Sequence, residues 1–136
     1  VLTVSTLARK ENNADQVEAV ASPQMEMSGG VLANVTASAR APYRTLVEIV
    51  GSDGALVAEN GLTVDRPVEL IRRRGGEVAE TASVENGDGY VRMLDSFAQA
   101  FRGVGEFPAS GEDGIRNMRA LDAAYKSWRT GQRETV

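Results

Sequence analysis

The sequence predicts an α+β domain: an open-faced, largely antiparallel (mixed) β-sheet with helices packed on one face. Three observations predict it. Apolar residues alternate with period two through most of residues 1–84. Glycine pairs and a Ser-Asp-Gly triplet divide the alternating runs at hairpin distances. Beyond Asp88 the apolar period lengthens to that of a helix. Strands first and helices last is the order of a sheet whose helices collect on one side. The 136 residues are expected to form a single domain, enough chain to bury roughly two-thirds of its unfolded surface.

VLTVSTLA (1–8) places Leu2, Val4 and Ala8 on one face, with Thr6 among them, as a strand does. RKENNADQ (9–16) is a polar loop. VEAVA (17–21) reads as a strand or one helical turn, ended by Pro23. QMEMSGGVLANVTASA (24–39) predicts a hairpin turning at Ser28-Gly29-Gly30, where glycine supplies the positive φ of a tight turn. Its second strand sets Val31, Ala33, Val35, Ala37 and Ala39 on one face and Leu32, Asn34, Thr36, Ser38 and Arg40 on the other. That second face is polar but uncharged until Arg40, unlike the Lys- and Glu-rich face of a strand open to bulk water. Two readings stand together: a solvated face, or a surface that meets another domain or a polar ligand.

RTLVEIVG (44–51), Ser52-Asp53-Gly54 and ALVAEN (55–60) make a second hairpin. RPVELIRRR (66–74) and EVAETASV (77–84), divided by Gly75-Gly76, extend the sheet. Tyr90, Leu94, Phe97, Phe101 and Val104 then recur at helical spacing until Gly103 and Gly105 close the helix. In FPASGED, Ser110 and Asp113 form a capping box. The helix that follows presents Ile115, Met118, Leu121 (or Asp122), Tyr125 and Trp128 on one side and is capped by Gly131. Two such stripes cover one sheet face, so the other is wet or paired with a second chain or domain.

Composition excludes several functions. A net charge of −4, with Arg72-Arg73-Arg74 as the only basic run, argues against nucleic acid as a partner. No apolar run approaches the roughly 18 residues of a membrane span, so no membrane partner is expected. Without Cys or His there is no zinc–thiolate site, no thiol nucleophile and no imidazole base. The lack of Cys fits a cytoplasmic protein. No Met opens the chain and strand alternation begins at Val1, so the sequence is expected to be the later part of a longer protein.

Gly103-Val104-Gly105-Glu106-Phe107-Pro108 starts like a dinucleotide fingerprint, but lacks the third Gly and follows a helix pattern. Asn86-Gly87-Asp88-Gly89 lacks the remaining oxygens of a calcium loop, and no metal is expected. Glu48 and Glu59 offer a glycosidase-like pair only if their spacing is fixed, and solvated charges are the simpler reading. Tyr43 follows Pro42, which stiffens Ala41, and stands between Arg40 and Arg44. Its phenol suits hydrogen bonding to a polyol or an acid; packing at a strand bend is the competing role.

The order of these parts resembles the C-terminal half of the Gfo/Idh/MocA family, the glucose–fructose oxidoreductase and inositol 2-dehydrogenase-like oxidoreductases. The residues that resemble it are MSGGVLANVTASA (27–39), YRTLVEIVGSDGAL (43–56) and YVRMLDSFAQAFRGVGEFPASGEDGIRNMRALDAAYKSWRTGQRETV (90–136). The resemblance implies a dihydrodipicolinate-reductase-like C-terminal domain whose sheet is a lid beside substrate and, on its exposed side, a subunit interface. It implies an N-terminal Rossmann domain that holds NAD or NADP and supplies the catalytic Lys, Asp and His. Those motifs have no counterpart here, so no catalytic and no cofactor-binding residue carries over, and residues 1–136 alone are expected to be inactive. Tyr43 falls where inositol-dehydrogenase-like members place a substrate-facing Tyr. The implied partners are the Rossmann domain, a small-molecule sugar or polyol, and a second copy of the chain through the sheet face. The rival expectation is a stand-alone, non-catalytic module that self-associates or binds through its sheet.

Overall fold

The described residues, 1–12, 14 and 17–136 of a computed structural model, form nine strands and two helices, with the strand-rich part first. The α+β class is as the sequence predicts, and every strand pairing is antiparallel. The strands divide into two ladders where one sheet was expected. The chain correspondingly forms two compact units, residues 1–41 with 108–136, and residues 42–107.

In the first unit β1 (Thr3–Arg9), β2 (Val20–Glu26), β3 (Leu32–Asn34), β4 (Ala37–Ser38) and β9 (Glu134–Thr135) pair in the order β3-β2-β1-β9, with β4 also on β2. The turn between β2 and β3 is made by Gly29 and Gly30, both at φ 79°. Pro23 does not end its strand; β2 continues through it to Glu26. The register carries Pro23 opposite Val35, and there the ladder breaks between β3 and β4. Pro23 still accepts from the Val35 N–H at 3.1 Å but has no proton to return, which limits the damage to one missing bond.

Helix α2 (Gly111–Thr130) packs on β1. Its capping box forms as predicted: Ser110 Oγ accepts from the Asp113 N–H at 3.2 Å, and the Asp113 carboxylate accepts from the Ser110 N–H at 3.3 Å. Gly131 caps the other end in the left-handed conformation. The inward face is not the predicted stripe of large residues. Ala123 and Ser127 are buried, with Tyr125 and Trp128 half-buried, whereas Ile115, Met118 and Leu121 are exposed. Small side chains let the helix come close enough for Ser127 Oγ to accept the Thr6 N–H at 2.9 Å. That N–H lies beyond the short β9, which pairs only with Thr3 and Val4.

In the second unit β5 (Leu46–Gly51), β6 (Gly54–Glu59), β7 (Val68–Arg74) and β8 (Glu77–Val84) form an up-and-down ladder. Gly54 is obligatory: a Cβ there would lie 2.0 Å from the Arg73 carbonyl oxygen. The Arg72-Arg73-Arg74 run ends β7 at a bulge, with Arg72 paired to Glu80 at 3.0 Å. Helix α1 (Gly89–Phe101) forms where predicted, yet none of its residues is buried. Phe97 meets Phe107 edge-on at 5.5 Å, while Tyr90, Leu94 and Phe101 stay exposed. Helical cover of a sheet face is therefore provided by α2.

Candidate functional site

Tyr43 lies just before β5 and is 75% exposed, with its hydroxyl 3.4 Å from Thr63 Oγ1. Thr63 is only 4% exposed. Asn60, at φ 57°, opens the turn that delivers it: the Thr63 N–H donates to the Asn60 carbonyl at 2.9 Å, and Asn86 Nδ2 donates to the Thr63 carbonyl. The expected flanking arginines are engaged elsewhere, Arg40 with Glu11 at 3.0 Å and Arg44 with Glu59 at 3.2 Å. The nearby Arg66 is paired with Asp65, its Nε 3.1 Å from Oδ1. Its pKa is raised chiefly by the hydrogen bond to Asp65, with a smaller share from Tyr43. Asp65 is held below the usual carboxylate range by the same hydrogen bond. Tyr43 and Thr63 thus bring a phenol and a hydroxyl together, groups suited to hydrogen bonding with hydroxyls, while the Arg66 guanidinium is held by Asp65.

Glu48 and Glu59 share one face of their ladder, but both are exposed and Glu59 holds Arg44. No enclosed acid pair results. Among the described residues no His, Cys, Asp or Glu cluster fits a metal. The Gly103 turn follows α1 rather than a strand, so its surroundings do not fit a dinucleotide. No helix of the described residues is long and apolar enough to cross a membrane.

The polar face singled out in the sequence is the bare face of the first ladder. Alternation sends Val4, Thr6 and Ala8 toward α2 and leaves Ser5, Gln24 and Asn34 on the opposite side, in one cross-strand row. A neighbouring row holds Thr3, Glu26 and Leu32; the other holds Leu7, Ser22 and Thr36. A shallow groove of about 350 Å³ lies over the first two rows. At its end Arg133 Nε donates to Thr3 Oγ1 at 2.8 Å and the guanidinium pairs with Glu26.

One polar contact escaped sequence reasoning. Tyr125 donates its hydroxyl to the Glu18 carboxylate, 2.9 Å from each oxygen. That hydrogen bond, burial and the negative charge of Glu18 raise the phenol pKa above its ordinary range. Glu18 stands in a segment of ambiguous period, and nothing in it signals a partner so distant in sequence.

A family model described as "Oxidoreductase family, C-terminal alpha/beta domain" matches residues 2–136. The chain belongs to the Gfo/Idh/MocA oxidoreductase family. It is 32% identical over 110 residues to a D-xylose 1-dehydrogenase (NADP(+)) of Haloferax volcanii, covering 79% of this chain and 33% of that protein. It is 31% identical over 85 residues to a 1,5-anhydro-D-fructose reductase of Ensifer adhaerens, covering 62% of this chain and 25% of that one. The aldose-aldose oxidoreductase of Caulobacter crescentus shares the fold, with TM-score 0.81 and 19% identity over 99% of this chain and 41% of its own. The chain therefore spans a third or less of these two curated relatives. The matched description makes it a C-terminal alpha/beta domain of the oxidoreductase family.

Proposed function

We propose that residues 1–136 are the substrate-side and oligomerisation domain of an NAD(P)-dependent oxidoreductase. The enzyme moves hydride between the nicotinamide and a secondary alcohol of a sugar or an inositol-like polyol. The observation behind this reading is the family match across residues 2–136. The two curated relatives, named for acting on D-xylose and 1,5-anhydro-D-fructose, support a sugar substrate. An N-terminal Rossmann domain holds the cofactor and the proton-handling groups. This chain supplies Tyr43, which hydrogen-bonds substrate from a position fixed by Thr63, and a sheet face for self-association. The cytoplasm is the proposed location.

The longer protein, assayed with NAD or NADP and a panel of aldoses and polyols, is expected to change nicotinamide absorbance, while residues 1–136 alone give no turnover. Tyr43→Phe is expected to lower kcat/KM about tenfold, the worth of one hydrogen bond. A longer protein inactive on every such substrate would overturn the reading, as would an upstream reading frame lacking a glycine-rich nucleotide turn.

The bare face of the first ladder supports the non-catalytic, self-associating reading as the alternative. A start codon at the first residue, with self-association and no turnover, would favour this alternative.

A further inference from the structure

Two Asn-Gly pairs flank Thr63 in the second unit, Asn60-Gly61 before it and Asn86-Gly87 after it. Asparagine is chemically labile, most of all before glycine, whose missing side chain leaves the next backbone nitrogen open to the Asn carbonyl carbon. The two pairs are held differently. Asn60 donates its N–H to the Thr45 carbonyl at 2.6 Å and accepts the Thr63 N–H at 2.9 Å. Gly61 is packed as well: a Cβ there would meet the Ala58 Cβ at 2.9 Å. Gly87 is exposed, with nothing within 4 Å of where its Cβ would stand, and among the described residues its N–H has no partner. The tether of Asn86 is its side chain, which donates from Nδ2 to the Thr63 carbonyl.

We infer that Asn86 is a site of spontaneous covalent modification, by which the chain releases its own hold on Thr63. The Gly87 nitrogen attacks Asn86 Cγ. A bond forms between them, the bond from Cγ to Nδ2 breaks, and Nδ2 leaves as ammonia with the proton that Gly87 gives up. Water then opens the cyclic imide at either of its carbonyls, leaving aspartate or isoaspartate. Nothing is oxidised or reduced, and water is the one co-reactant.

Ring closure requires the Asn side chain to fold back over the peptide that follows it. The open surroundings of Gly87 permit this once the bond to Thr63 parts. At Asn60 the same motion strains two backbone bonds and a packed turn. The product acts through what it faces. A carboxylate only accepts hydrogen bonds, and so does the Thr63 carbonyl, so the two repel where the amide joined them. Thr63 is buried and its hydroxyl lies 3.4 Å from that of Tyr43, so losing the tether loosens the loop from which the phenol takes its partner. The modification is independent of the proposed activity; its bearing on substrate rests on the role given there to Tyr43.

Tryptic peptides separate the two sites. Cleavage after Arg74 and Arg92 isolates Asn86 in residues 75–92, and Asn60 falls in residues 45–72, because Pro67 protects the bond after Arg66. The chain is incubated in neutral buffer, folded and in urea, and the conversion of NH2 to OH is followed by peptide mass. Relative to urea, folding is expected to slow Asn60 at least tenfold more than Asn86. Equal slowing at the two sites, or greater slowing at Asn86, overturns the assignment. Gly87 has no positive φ and room for a methyl group, so Gly87→Ala should fold as the parent does, which circular dichroism verifies. It is expected to slow conversion of Asn86 about tenfold, since a side chain hinders the attacking nitrogen. An unchanged rate rejects the attack by Gly87. Asn86→Asp supplies the product directly and should raise hydrogen exchange at the Thr63 amide about tenfold, while Gly87→Ala leaves that exchange as it was. Unchanged exchange in a folded Asn86→Asp chain rejects the release of Thr63.

Discussion

In the first unit α2 lays Ala123 and Ser127 against the ladder, and Val4 on the covered strand is 1% exposed. In the second, α1 buries none of its residues, and Phe101 at its end is 85% exposed. Both helices arise from the same local grammar of apolar spacing followed by glycine. They differ in their ends and faces. Helix α2 starts with a reciprocal capping box, whereas Asp88 makes no side-chain cap bond to α1 and instead pairs with Arg92 one turn on. Helix α2 turns small residues inward and so approaches its strands closely; α1 carries bulky residues with little to receive them. Periodicity makes a helix, but side-chain size and a receiving surface decide whether it covers anything.

The largest test of that contrast compares equivalent truncations. Val4→Ala should cost about 2.5 kcal/mol through lost burial and a residual cavity. Leu94→Ala, on the exposed α1 stripe, should stay within about 0.5 kcal/mol. Trp128 is the only tryptophan and lies in the first unit, so its fluorescence during urea unfolding reads the first variant. Hydrogen exchange across β5 to β8 reads the second. Equal costs would mean that α1 is covered in solution.

Ser127→Ala should come next, at about 1.5 kcal/mol, because the Thr6 N–H loses its acceptor at the ladder edge. Restoration by Ser127→Thr would show that the hydroxyl matters rather than the volume. Ser110→Ala should cost about 1 kcal/mol by removing the cap of α2. Asp88→Ala should cost only a few tenths, since it removes a one-turn ion pair and no cap. Matching losses from these two would erase the distinction between the helix ends.

The smallest effect is in pH. Hydrogen bonds to Ser110 hold the Asp113 pKa below its ordinary value, and chiefly the bond from Lys126 does the same for Glu134. Depressed carboxylates contribute stability above their unfolded pKa and lose it as pH falls through the folded one, so the first unit should weaken in acid below about pH 4. The Tyr125 phenol is raised and works in the opposite sense: its contribution is complete below about pH 10 and is lost as pH climbs through the folded value. Denaturation midpoints against pH should therefore lose their alkaline fall in Tyr125→Phe and keep their acid one.

Much of the fold was legible because it is local. The Ser28-Gly29-Gly30 and Ser52-Asp53 turns, the Gly75-Gly76 turn and the Ser110–Asp113 box each fit within a few residues of sequence. Pro23 misled because proline normally stops a strand; opposite a gap between two short strands its missing proton costs little. The Arg40–Tyr43–Arg44 grouping misled because adjacency in sequence says nothing about which carboxylate each arginine reaches. Thr63 gave no signal at all. Its place beside Tyr43 depends on the turn at Asn60 and on Asn86, which lies 23 residues further along.

By itself the sequence determined the α+β class, the hairpins, both helices and the family, because short-range backbone preferences and ordered motifs settle these. Only the tertiary structure decided the division into two ladders, the small-residue face that α2 turns inward, the surroundings of Tyr43 and the cross-strand rows on the bare face of the first ladder. Each of those depends on strand register and on contacts between distant residues, and a pattern read along one chain does not encode which strands meet or how far they are offset.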